Sequence, residues 1–447
     1  MRIHSYTNLR GAPRRGRHAL VVGSAVGLLA IAAGACGDLL SLKQSNPGQV
    51  DASTLYVPSN AQIIVNGAIA DFECSYMRYV TGSGIVSDEI SAAIANTANF
   101  NYDRRLITPT DAYAGGGGTG CGGAQQPGFY TGLSTARADA DTAHARFEEW
   151  TDEQVPNRVR LMAQLSTYAG YSILILGEGM CSAAINVGPE LTSAQLFQEA
   201  KLRFDLAITE ATTANDATTL NLARLGRARA LLNLGDLTAA AADAAQIPSN
   251  FLVSVSADAV NTRRQNTVFI HITQSFFGTV DASFRNVTME NGQPDPRVAV
   301  TNSGRTGSAQ NTPVWTPNKY PAANSAIPLA KYAEAQLIIA EARIAAGDLA
   351  GAATAINNAR NSGGRTGMPQ YSAAGQTAAQ VKAQLIEERR REFFLEGHRL
   401  YDIRRFQLPL NPAAGAPYTV GGGVYSDAIC FPLPAVERNN NPNIPKP

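Results

Sequence analysis

The chain has 447 residues, of which 45% are hydrophobic and only 16% charged, against a usual charged share of about 25%. Its formal net charge is +1, without the basic stripe that nucleic acid calls for, which argues against a nucleic-acid partner. The length allows one large domain or two or three smaller ones, and past residue 36 no run approaches the roughly 20 apolar residues of a membrane span.

The N-terminus reads differently from the body. Arg2, Arg10, Arg14, Arg15 and Arg17 precede any acid, and an apolar run follows over residues 19–33. Positive charge, a short apolar span and then small residues predict a secretion signal over residues 1–35. Ala33-Gly34-Ala35-Cys36 resembles the lipobox of bacterial lipoproteins, with Ala33 where a leucine is usual. By that likeness Cys36 carries the lipid. Removing the signal takes away five of the 37 basic residues and none of the 36 acids, so the mature chain is near −4. It also leaves Cys74, Cys121, Cys181 and Cys430, an even number in an oxidising compartment, enough for two disulfides in any of three pairings. Their spacing does not suit a metal site, and none is expected.

Residues 36–60 are polar and include Ser45-Asn46-Pro47-Gly48, which suits a tether; residues 61–447 read as one domain. A helix is predicted over 61–70. The stretch 71–132 is mixed, with a glycine-rich loop at 114–128. Ala/Leu-rich segments without internal proline predict helices over 134–150, 157–176, 193–213, 220–234 and 237–246. Residues 248–328 change character: β-branched and aromatic runs such as 267–273 alternate with Pro/Gly turns, the pattern of irregular structure with short strands. Helices return over 329–346, 349–361 and 378–396, and a proline-rich tail closes the chain. The predicted fold class is mostly α, with the helical scaffold over 134–246 and 329–405 and irregular regions over 71–132 and 248–328.

An internal repeat links the two helical blocks. Ala228, Ala230, Gly235-Asp236-Leu237 and Ala240-Ala241 recur 112 residues later as Ala340, Ala342, Gly347-Asp348-Leu349 and Ala352-Ala353. Small residues let antiparallel helices approach, the glycine ends the first helix and the aspartate starts the second, as in tetratricopeptide repeats.

Residues 385–405 read L-I-E-E-R-R-R-E-F-F-L-E-G-H-R-L-Y-D-I-R-R. As one helix they would set Glu388, Glu392 and Glu396 in a column at spacing four, where like charges repel by a few tenths of a kcal/mol per pair. A solvated helix gains nothing from that. Arg391 and Arg399 could each reach back three residues to an acid, Arg343 or Arg404 could add tertiary partners, and Ile386, Phe393 and Leu400 mark a buried stripe. The expected role is an ion-pair network locking this helix to the bundle.

This segment, with Ala340-Glu341-Ala342-Arg343 and Gly347-Asp348 before it, resembles the C-terminal signature of the SusD/RagB family of surface nutrient-binding lipoproteins. Cys430-Phe431-Pro432-Leu433-Pro434-Ala435-Val436-Glu437 and Asn441-Pro442-Asn443 are similar to that family's closing pattern. The likeness covers residues 329–447 and thins toward the N-terminus, to Cys36, the helices and a weak segment at 84–89. It implies a SusD-like fold with tetratricopeptide-like helix pairs and a lipid-anchored place on the outer membrane, facing outward. It also implies capture of an oligosaccharide, or in some members a peptide, for a TonB-dependent (SusC-like) transporter. No cofactor is expected.

Sites for chemistry are absent from the sequence pattern. Gly115, Gly117 and Gly120 match G-x-G-x-x-G without a following helix, His398 lies inside the ion-pair segment, and neither H-E-x-x-H nor G-x-S-x-G occurs. A binding protein rather than an enzyme is expected, with a helical-repeat scaffold of the cell envelope as the alternative. The candidate ligand residues are aromatics in non-helical segments: Trp315 and Tyr320, with Asn311 as a polar neighbour, and Tyr76, Tyr79, Tyr102 and Tyr113. A flat ring in a loop offers an apolar face to a sugar's C–H face.

Overall fold

A computed structural model describes residues 52–115 and 128–446. The chain divides into two units, residues 1–55 and 56–447. Of the first, only the helical turn Ala52–Leu55 is among the described residues. The predicted signal, Cys36, Gly117, Gly120 and Cys121 lie outside them. Of the expected tether, residues 52–60 are described and hold that turn and a 3-10 turn, Pro58–Asn60.

The second unit is organised around α1 (Ala61–Val86), whose C-terminal half is buried on every side. The sequence reading ended this helix at residue 70, and the structure corrects that. A helix enclosed all round shows no amphipathic period. The hydroxyls that interrupt its apolar pattern bond to carbonyls of their own helix: Ser75 Oγ donates to the Asp71 carbonyl at 2.7 Å and Thr81 Oγ1 to that of Met77 at 3.2 Å. A short helix α2 (Thr97–Asp103) follows, so part of the stretch 71–132 expected to be irregular is helical.

Helices α3 (Tyr130–Glu148), α4 (Arg158–Gly179), α5 (Ser193–Thr213), α6 (Ala217–Leu234) and α7 (Leu237–Ala244) pack in succession, α3 against α1. Close approach is built in by glycine. The Phe204 ring of α5 lies where a Cβ on Gly170 of α4 or Gly226 of α6 would come within 2.7 Å and 2.5 Å of it. The series continues through α8 (Tyr332–Ala345), α9 (Leu349–Arg360) and α10 (Ala378–Glu392), with α8 against α7.

The repeat is real in three dimensions. Gly235 and Gly347 sit at φ 85° and 79°, a region that favours glycine. Asp236 and Asp348 then cap α7 and α9, accepting from the backbone N–H of Ala239 at 3.0 Å and Gly351 at 2.8 Å. The facing alanines Ala228, Ala240, Ala340 and Ala352 are fully buried.

Among the described residues eight short strands pair two by two, all antiparallel. β2 (Ser182–Ala184) joins β3 (Glu190–Thr192), and β6 (Val300–Thr306) joins β7 (Pro313–Pro317). β1 (Ile90–Ala92) pairs with β5 (Gly278–Val280), and β4 (Leu252–Val255) with β8 (Ile327–Lys331). The predicted helix over 329–346 therefore starts later, at Tyr332, because 327–331 are spent on pairing with β4. The run 267–273 is not a strand either: Phe269–Gln274 is a π-helical turn. Consecutive residues 266–268 and 270–272 are buried, which alternation cannot achieve with one solvent face. Asn266 Oδ1 starts the turn by accepting the Phe269 N–H at 3.0 Å.

The segment 378–396 is not one helix. α10 stops at Glu392, Leu395 and Gly397 turn at φ 56° and 79°, and α11 (Arg399–Phe406) begins after His398. Among the described residues no helix is long and apolar enough to cross a membrane. The tail is tied to the end of α4 by a Cys181–Cys430 disulfide, and backbone bonds flank it from Cys181 N–H to Phe431 O at 2.8 Å and from Phe431 N–H to Gly179 O at 2.9 Å. Cys74 is also disulfide-bonded.

Candidate ligand-binding site

Most of the tyrosines singled out from the sequence are interior. Tyr76, Tyr79, Tyr102, Tyr113 and Tyr320 are all buried. Tyr102, Tyr113 and Phe129 surround Phe431, with ring centroids 6.0, 5.2 and 4.9 Å from it, and Tyr79 meets Phe129 edge-on at 5.4 Å. Their hydroxyls serve the fold: Tyr76 donates to Glu396 O at 2.9 Å, Tyr320 to Leu395 O at 2.9 Å and Tyr113 to Pro432 O at 2.7 Å. Burial raises all five phenols. None of them offers a face to a ligand. A large ring is worth more inside than out, and Tyr76, Tyr79 and Tyr102 lie on helices, not in the non-helical segments expected from the sequence.

Trp315 and Asn311 stand apart. Asn311 is exposed at φ 53° in the turn between β6 and β7. Trp315 is half-buried on β7 opposite Asn302. Its backbone N–H donates to Thr279 Oγ1 at 2.8 Å, which fixes it against β5. The Arg285 guanidinium stacks over the indole with its carbon 5.5 Å from the ring centre, and is itself held by Val280 O at 2.8 Å. Burial lowers the Arg285 pKa from its ordinary value. The indole N–H has no acceptor among the described residues.

A second such pair, Phe276 with Arg305 at 5.7 Å, lies just before β5. The sequence reading missed Phe276, Arg285 and Arg305, because only tertiary packing sets an arginine over a ring. Each pair sets a cation over a partly exposed ring, and Trp315 adds an indole N–H without an acceptor among the described residues. Such a surface can stack on a ring and bond to hydroxyls.

The ion-pair segment is a network, with different partners from those expected. Glu388 binds Arg297 at 2.6 Å and Arg360; Glu392 meets Lys331 at 3.1 Å and Arg365 at 2.8 Å; Glu396 meets Lys331 at 2.8 Å and Lys319 at 2.5 Å. Arg391 reaches Glu387 at 2.7 Å and Asp295 at 3.2 Å, not Glu388. Arg399 binds Asp88 rather than Glu396. Arg343 pairs locally with Asp348, and Arg404 donates to Met180 O. The like-charged column is tolerated because four of its cations come from β8, the β7–β8 link and loops distant in sequence.

His398 and the adjacent carboxylates Asp88 and Glu89 also have structural partners. His398 stacks on Phe393 at 4.1 Å, and burial, with Arg229 and Arg389 nearby, holds it well below the ordinary histidine range. Asp88 is held by Arg399, and Glu89 Oε1 accepts the Leu395 N–H at 2.7 Å.

Residues 261–444 match the model of the SusD family. A SusD superfamily protein from Bacteroides vulgatus shares the fold with a TM-score of 0.65 and 16% identity, over 87% of this chain and 98% of that one. One from Bacteroides fragilis gives 0.64 and 16%, over 87% and 99%. A SusD-like carbohydrate binding protein, also from Bacteroides fragilis, gives 0.59 and 14%, over 86% and 98%. No curated protein matches the chain. The fold and the matched C-terminal region define a helical-repeat protein with an irregular appended face. Residues 261–444 thus carry the SusD family's pattern, and the chain has a SusD-like fold.

Proposed function

We propose that this protein captures an oligomeric nutrient at the cell surface, an oligosaccharide or else a peptide, and delivers it to a TonB-dependent, SusC-like transporter of the outer membrane. Lipidated Cys36 anchors it there, and no catalysis is involved. The observation that carries the binding role is Trp315, half-exposed, backed by Arg285 and with its indole N–H free among the described residues. A structurally similar protein described as carbohydrate binding supports the sugar. Absence of catalysis is supported by the structural use of Asp88, Glu89 and His398, which leaves no paired acid and base facing a cleft among them.

A glycan and peptide array on the secreted protein, repeated with Trp315→Ala, tests the reading. Loss of one stacked ring, its contact and its buried area together, costs about 1–3 kcal/mol, so the affinity of a hit falls roughly five- to 150-fold. An array without any hit, or a hit indifferent to Trp315→Ala, defeats this site and favours the envelope scaffold.

A further inference from the structure

Beside the β4–β8 pair, between the loop after α9 and the turn after α10, lies a cavity of about 500 Å³, a volume in the range of small-molecule sites. None of Trp315, Phe276, Arg285 and Arg305 lines it. Its walls include the half-buried rings of Phe251 and Tyr332, and Asn318 lies at its edge. Six charged side chains reach it: Arg297, Lys319, Lys331 and Arg365, with Glu392 and Glu396.

Which charge a ligand meets depends on which of these groups solvent reaches. The side chains of Glu392 and Glu396 are 2% exposed and that of Arg297 3%. Lys319 is 23% exposed, Arg365 24% and Lys331 14%. The carboxylates are thus the buried backing, and the surface turned to the cavity is cationic.

Two of these cations also have donors to spare. Lys319 Nζ carries three protons and has two acceptors, Glu396 Oε1 at 2.5 Å and Phe394 O at 2.9 Å. Arg365 is held by Nε to Arg360 O at 2.9 Å and by Nη2 to Ala359 O and Glu392 Oε2, both at 2.8 Å. Its Nη1 has no acceptor among the described residues. Burial lowers the Lys319 pKa more than the neighbouring Glu396 raises it, so an anion beside it relieves a charge that the protein leaves undercompensated. A planar donor fork and an ammonium, both fixed in place, are the equipment for a carboxylate.

We propose that this cavity is a second binding site, separate from the Trp315 face, for the carboxylate of a molecule the size of a sugar acid or a dipeptide. It does not depend on the nutrient-capture reading. The test is calorimetry on the full chain with two matched pairs of probes, galacturonate against galactose and Ala-Ala against its C-terminal amide. One carboxylate binds at least about tenfold more tightly than its neutral counterpart, a ratio that a single charge-assisted contact supplies. Which pair discriminates tells a sugar acid from a peptide terminus. Lys319→Met and Asn318→Trp each abolish the discrimination, the first by removing a donor and the second by filling the cavity with every charge left in place. Should Lys319→Met fail to fold, Asn318→Trp alone decides. The proposal is overturned if neither pair discriminates, or if Asn318→Trp leaves the discrimination intact.

Discussion

Arg399 grips Asp88 through two bonds of 2.6 Å, Nε to Oδ1 and Nη2 to Oδ2, across 311 residues of chain. Both side chains are nearly buried. The pair ties the start of α11 to the loop that leaves α1, joining segments far apart in the chain. Breaking one side of such a pair strands a desolvated charge, at a cost of about 3–5 kcal/mol. Asp88→Ala and Arg399→Met should each lower the unfolding free energy read from urea titration by that amount, and the double variant by much less than their sum. Additive losses in that cycle would mean the two residues are not coupled.

Glu392 is the more demanding case, because three cations depend on it. Burial alone would raise its pKa, yet Lys331, Arg365 and Arg297 together hold it below the ordinary carboxylate value. Glu392→Ala should destabilise by about 3–5 kcal/mol without selective loss of array binding. A variant of native stability that has lost its ligand would reverse the assignment.

A neighbouring carboxyl behaves in the opposite sense. Burial pushes Glu89 up from 4.5 to about 8, and its Oε2 has no partner among the described residues. A folded pKa above the unfolded one favours the neutral acid. The associated stability is complete below about pH 4.5 and drains away as the pH rises to about 8. Glu89→Gln keeps an acceptor for the Leu395 N–H and removes the titration. Its melting temperature should exceed that of the parent at pH 8 by the equivalent of about 2–4 kcal/mol and match it at pH 4. Equal curves at both ends would show that Glu89 titrates normally.

The proposed lipid anchor rests on Cys36, which lies outside the described residues. Cys36→Ser should move the protein from the membrane fraction to the soluble fraction after export. Unchanged retention in the membrane would refute the anchor.

Much of the scaffold was legible in the sequence because its physics is local. The Gly-Asp turns at 235–236 and 347–348 sit where the repeat placed them, since a residue at positive φ and a capping carboxylate act within one turn of chain. The helix at 193–213 was read to the residue from an Ala/Leu-rich run without proline, and the structure adds the Thr192–Gln195 capping box that opens it. Trp315 was marked by its loop and stays accessible.

What the tertiary structure alone decided is the set of partners. The buried half of α1 has no period to read, and the tyrosines around Phe431 look like loop residues until the tail folds back on them. The column Glu388, Glu392 and Glu396 announced an ion-pair network, but its cations are Arg297, Lys319, Lys331, Arg360 and Arg365. Burial makes a charge demand a partner, and the sequence displays that demand. Nothing local specifies which distant cation answers it, because that depends on how β8 and the loops around it are brought against the end of α10.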